Sequence, residues 1–99
     1  NISAVNEILN YIRTEQENVK IFRYEDLDVE AVEINVKSSC QYISRDHTLS
    51  DIPKNVSLCS IIRSGKVLTP NQKTQIEVDD ELLFFAKPKD IKIIESLFK

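Results

Sequence analysis

A chain of 99 residues is long enough to bury one small core and leaves no room for a second domain. Thirteen Lys and Arg against sixteen Asp and Glu give a net charge of -3 with the basic residues dispersed, whereas a duplex nucleic-acid partner needs a clustered positive footprint. With 41% hydrophobic and 29% charged residues, no apolar run near the roughly 20 residues that span a bilayer and no opening signal segment, the sequence reads as soluble, serving any membrane from outside the lipid.

In the opening segment Ile2, Val5, Ile8, Leu9 and Ile12 recur at helical spacing, with Asn6, Glu7, Asn10 and Arg13 largely opposite, which predicts an amphipathic helix of about three turns. The pattern starts directly at Asn1 with no initiator Met, so the chain is expected to be a fragment of something longer. Polar Thr14 to Asn18 closes this helix. Val19 to Tyr24 is β-branched and aromatic enough for a short strand, ended by a turn at Asp26 and Asp28.

From Glu30 to Lys37 the alternation is clean, with Val32, Ile34 and Val36 on one face and Glu33, Asn35 and Lys37 on the other. Ser38 to His47 reads as polar loop. Thr48 to Ile52 predicts a single helical turn closed by Pro53. Val56 to Arg63 predicts a strand, and Ser64-Gly65 holds the chain's one glycine where a tight hairpin needs positive φ. The return strand Lys66 to Thr69 stops at Pro70.

Asp79-Asp80 predicts a solvated turn before Leu82-Leu83-Phe84-Phe85-Ala86, whose continuous apolar run fits a central strand covered on both faces. Lys87-Pro88 opens a last helix with Asp90 in its first turn and Ile91, Ile94, Leu97 and Phe98 as its buried stripe. The resulting fold class is α+β, a small, mostly antiparallel sheet covered by helices.

Few residues offer chemistry. His47, beside Asp46, has no Ser or Cys nucleophile in a recognisable setting, so it reads as a loop residue or ligand contact, and the chain is not expected to be an enzyme. Asp79-Asp80-Glu81 lacks the wider spacing and the glycine of a hard-cation loop, and no metal is expected. One glycine cannot build GxGxxG or GxxxxGK. Cys40 and Cys59 match neither a redox pair nor a zinc knuckle and read as two reduced, packed thiols. Arg63 and Lys66 flank the hairpin and could meet an anion.

Five segments in order go further: Val32-Glu33-Ile34-Asn35-Val36, Thr48-Leu49-Ser50-Asp51-Ile52-Pro53, Ser60 to Pro70, Ile76 to Phe85, and Ile91 to Phe98. Together they resemble the TrkA-C type of C-terminal domain in regulators of potassium conductance, found in Trk and Ktr uptake systems. The resemblance covers residues 29–99 as a TrkA-C-like regulatory domain and leaves 1–28 as a connecting helix and short strand. Asp79 stands where the family has glycine, and Asp tolerates the left-handed backbone better than most residues.

The resemblance implies a cytoplasmic domain, peripheral to the inner face of the cell membrane, that forms a homodimer and gates a membrane-embedded potassium transporter. It also implies a small effector, a cyclic dinucleotide in some members, held by an apolar pair, an Asp-x-Arg and a later proline. Asp51 and Pro70 match that pattern. The apolar pair falls on His47-Thr48 and the arginine on Pro53, which removes the natural fork for a phosphate. Effector positions are therefore expected at His47, Asp51, Ile62, Arg63 and Pro70. NAD or ATP would act only through a preceding Rossmann domain, which these residues do not contain. The alternatives are a passive dimerisation domain without a ligand, or the tail of a different cation transporter or antiporter.

Overall fold

Alternation along each strand decides which way its side chains face, and the registers between strands gather them into one core. The computed structural model describes residues 9–12, 16–44 and 49–99. Among these residues six strands, β1 (Leu9–Ile12), β2 (Val19–Tyr24), β3 (Glu30–Asn35), β4 (Val56–Arg63), β5 (Lys66–Leu68) and β6 (Glu81–Ala86), form a single sheet in the order β1-β2-β3-β6-β4-β5. All five pairings are antiparallel. Register places Val32 opposite Phe84 and Ile21, and Ile34 opposite Leu82 and Val19, so these buried residues lie on one face.

The strand expected at Val56 to Arg63 carries a feature that alternation does not announce. Leu58 pairs with Phe84, but Ser60 pairs with Leu83, so Cys59 is the extra residue of a β-bulge. Without it, Leu58 and Ile61, three apart, would face opposite sides of the sheet. With it, Ile61 lies opposite Leu82, fully buried in the same core as Leu58. Cys59 itself is exposed, against the expectation of two packed thiols, while Cys40 is buried.

Two further expectations change. Residues 9–12 are a strand and not the end of a helix: Leu9 to Ile12 run against Tyr24 to Ile21. A short amphipathic helix is marginal by itself, and the open edge of β2 offers these residues a full row of backbone partners. The remainder of the predicted helix, residues 2–8, lies outside the described residues. β6 is central, as its apolar run predicts, yet only Leu82, Phe84 and Ala86 are fully buried, while Leu83 and Phe85 on the other face are half-buried. One face of the sheet therefore stands without a covering helix among the described residues.

Helices cover the opposite face. The segment read as polar loop contains α1 (Gln41–Ser44), one turn that buries Tyr42 just after buried Cys40. A 3-10 turn spans Leu49–Asp51, as the segment before Pro53 predicts. After β6, a 3-10 turn at Pro88–Asp90 leads into α2 (Ile91–Leu97), whose Ile91 and Ile94 are buried with Phe98 just beyond. Phe98 stacks on Tyr42 at 5.1 Å between ring centroids and meets Phe84 at 5.7 Å, locking both helices to the sheet.

The last carbonyls of a helix have no partners within it. Here distant side chains supply them. The Asn18 side-chain amide donates to the Phe98 carbonyl and to Asn35 O, Gln16 donates to Glu95 O, and the Cys40 thiol to Leu97 O.

Candidate functional site

The hairpin between β4 and β5 turns on Ser64 and Gly65 at φ 51° and 77°, the pair of left-handed residues that a two-residue type I′ turn requires. An added Cβ at Gly65 would meet nothing within 4 Å, so backbone conformation alone asks for glycine there. This turn sets Arg63 at the end of β4, beside the loop that leads to β6.

Arg63 is wholly engaged. Its Nε donates to Asp80 Oδ1 and its Nη2 to Asp80 Oδ2, both at 2.8 Å, a two-point contact. Nη2 also donates to Gln75 O, and Nη1 pairs with Glu77 at 2.7 Å. Asp80, 1% exposed, further accepts the Glu77 N–H. The carboxylate hydrogen bond and charge raise the Arg63 pKa above its usual value. Asp80 is thus buried and clamped where a solvated turn was expected, while Asp79 stays exposed, at φ 73° in the left-handed region where the resemblance places glycine. Every guanidinium nitrogen has a carboxylate or carbonyl partner, which leaves Arg63 no free edge for an anion within this chain.

Two concavities flank β4. One is a cleft of about 250 Å³ between the Leu49–Pro53 turn and the segment after β5, with Ile52, Pro53, Lys54 and Leu58 on one side and Pro70, Asn71 and Gln72 on the other. Its second wall is fixed by a local turn in which Asn71 Oδ1 accepts the Lys73 N–H and Thr74 Oγ1 accepts the Asn71 N–H. Its lining mixes apolar Leu49, Ile52, Val56 and Leu58 with exposed Lys54, Asn71 and Gln72.

The other is a groove of about 230 Å³ on the uncovered face of the sheet, where Lys20, Glu33, Ser60, Ile62, Glu81 and Leu83 meet. The expected effector positions are thereby divided. Pro70 lines the cleft, and the backbone of Asp51 belongs to the 3-10 turn that forms its other wall. Ile62 lines the groove across the sheet, Arg63 is clamped to Asp80, and His47 lies outside the described residues. Lys54 was not singled out from sequence; its place one residue after Pro53, where the resemblance wants arginine, was the available signal.

Residues 31–99, which include the turn, the hairpin and β6, fit the TrkA-C domain. The chain belongs to the TrkA-C domain family. Over 48 residues this TrkA-C domain is 40% identical to the Trk system potassium uptake protein TrkA homolog of Archaeoglobus fulgidus, covering 48% of the chain and 11% of that protein. Over 70 residues it is 27% identical to the Trk system potassium uptake protein TrkA of Azorhizobium caulinodans, covering 71% of the chain and 15% of that protein. It therefore spans a small part of the length of either relative. No helix among its described residues is long and apolar enough to cross a membrane.

Proposed function

We propose that the chain is the effector-sensing regulatory domain of a potassium uptake system, acting in the cytoplasm as a homodimer and passing a ligand-dependent change to a membrane-embedded transporter subunit. The observation that carries this reading is the cleft between the Leu49–Pro53 turn and Pro70, inside the region that matches the TrkA-C domain. The names of the two relatives supply the transport system. A ligand can gate a transporter only by binding one arrangement of the protein better than another, and a cleft walled by one turn and one loop is a place where such a difference can arise.

The effector this cleft fits is a small anion with a flat apolar part. Lys54 stands at its rim as a point charge, in place of an arginine fork. No catalytic step is part of this reading.

The test is thermal unfolding of the chain with nucleotides, cyclic dinucleotides and simple anions, repeated with Lys54→Ala and Pro70→Ala. A ligand selective for the folded state raises the midpoint, and at a hundredfold excess over its dissociation constant it adds about 2.7 kcal/mol. Saturable stabilisation by one compound, weakened in both variants, supports the sensor. A chain that nothing stabilises is a passive dimerisation domain, and the sensor reading falls.

A further inference from the structure

The cleft wall made by Pro70, Asn71 and Gln72 is tied to the rest of the domain at few points. β5 ends at Leu68, and Pro70 has no N–H with which to extend its ladder. The Asn71 N–H donates to Thr74 Oγ1, the Thr74 N–H to Asn71 O, and the Lys73 N–H to Asn71 Oδ1. All three bonds are internal to the turn. Among the described residues, the one hydrogen bond that leads from residues 70–75 to the rest of the domain runs from Arg63 Nη2 to the Gln75 carbonyl, at 2.9 Å.

Arg63 stands on the strand that also carries the cleft's floor, since Val56 and Leu58 belong to β4. Its remaining bonds, to Glu77 and to both oxygens of Asp80, hold the far end of the same loop. One guanidinium therefore refers wall and floor to a single strand, although Arg63 itself does not line the cleft.

We infer that Arg63 is a positioning residue for the cleft, setting where the Pro70–Gln72 wall stands over the Val56 and Leu58 floor without touching what binds there. This rests on the effector reading of the cleft and adds how the site is held ready: a wall ordered in advance loses less freedom when a ligand arrives. Charge and position make opposite predictions for an anionic ligand. Were the arginine important as a charge, Arg63→Lys would leave binding intact, and Asp80→Asn, which removes a negative charge, would tighten it. As a tether it is weakened by both changes, because an ammonium cannot hold Asp80 at two points together with Gln75 and Glu77, and an amide cannot accept the whole fork.

Amide hydrogen exchange on the ligand-free chain tests the tether whatever the effector is. The Thr74 N–H should exchange about tenfold faster in Arg63→Lys and in Asp80→Asn. A role in global stability alone would quicken the amides of β3 and leave Thr74, which opens locally, as in the parent; that result overturns the inference. Titration with anilinonaphthalene sulfonate, a flat apolar anion, should show a dissociation constant raised about threefold or more in both variants. Unchanged binding in Arg63→Lys, or tighter binding in Asp80→Asn, overturns it as well. If Asp80→Asn does not fold, Glu77→Gln takes its place, removing a negative charge at an exposed partner of Arg63, with weaker and not tighter binding expected. A probe that binds Lys54→Ala as well as the parent counts against the effector reading, and exchange at Thr74 then decides the role of Arg63 alone.

Discussion

Arg63 and Asp80 lie 17 residues apart in sequence and meet through two parallel hydrogen bonds of 2.8 Å, one side chain partly exposed and the other buried. The pair ties the end of β4 to the start of β6 and holds the 75–80 loop against the sheet. Removing the arginine leaves a buried carboxylate with its counter-charge gone. Arg63→Ala is expected to cost about 3 kcal/mol in urea unfolding, and Arg63→Lys to recover only part, because an ammonium cannot make the two-point contact. A loss below about 0.5 kcal/mol would show that the clamp contributes little.

Asn18 is buried and donates to two carbonyls from distant parts of the chain, Asn35 O and Phe98 O. Asn18→Ala strands both acceptors and should lower stability by about 2 kcal/mol. Hydrogen exchange should then quicken first in α2, whose end the amide holds. Uniform quickening in every strand would argue against a local cap.

The Cys59 thiol is pushed above the usual cysteine pKa, chiefly by partial burial, with a hydrogen bond from the Phe85 backbone acting the other way. Its reaction with iodoacetamide should be slow at about pH 7.5 and should rise with a midpoint above that of a free cysteine. The folded chain holds this proton more tightly than the unfolded one. Its contribution to stability is therefore complete below the unfolded pKa and is lost as pH climbs through the folded one. Rapid labelling at neutral pH would contradict this.

The hairpin turn offers a pair of opposite effects. Gly65→Ala forces a Cβ into left-handed backbone and should cost about 1 kcal/mol, although nothing crowds the site. Ser64→Asn places at φ 51° a residue that accepts that conformation and should add about 0.5 kcal/mol. If both changes destabilise equally, the turn is not the type assigned.

What the sequence makes legible is local. β4, the Ser64-Gly65 turn, the apolar run of β6 and the stripe of α2 each announce themselves within a few residues. Leu9 to Ile12 misleads because its apolar positions satisfy helical spacing, while the edge of β2 that captures it lies further along the chain. Asp80 looks like one more residue of a solvated acidic turn until Arg63 is brought to it. The site divides likewise. Pro70 and the turn ending at Asp51 lie on two sides of one cleft, yet the bulge at Cys59 restores alternation in a new phase, and Ile62 turns to the far face of the sheet.

The strand order has a consequence for how the molecule comes into being. β1, β2 and β3 form one meander and β4 and β5 a separate hairpin, and β6 alone bonds to both, by way of β3 on one edge and β4 on the other. Before Glu81 to Ala86 is in place, the chain is two small, unconnected ribbons, each short of the strands that independent stability requires or barely at that number. This late strand thus acts as a keystone. A nascent chain can hold little native structure until β6 leaves the ribosome, and folding should then be abrupt and undivided, with no half of the domain surviving the loss of the other.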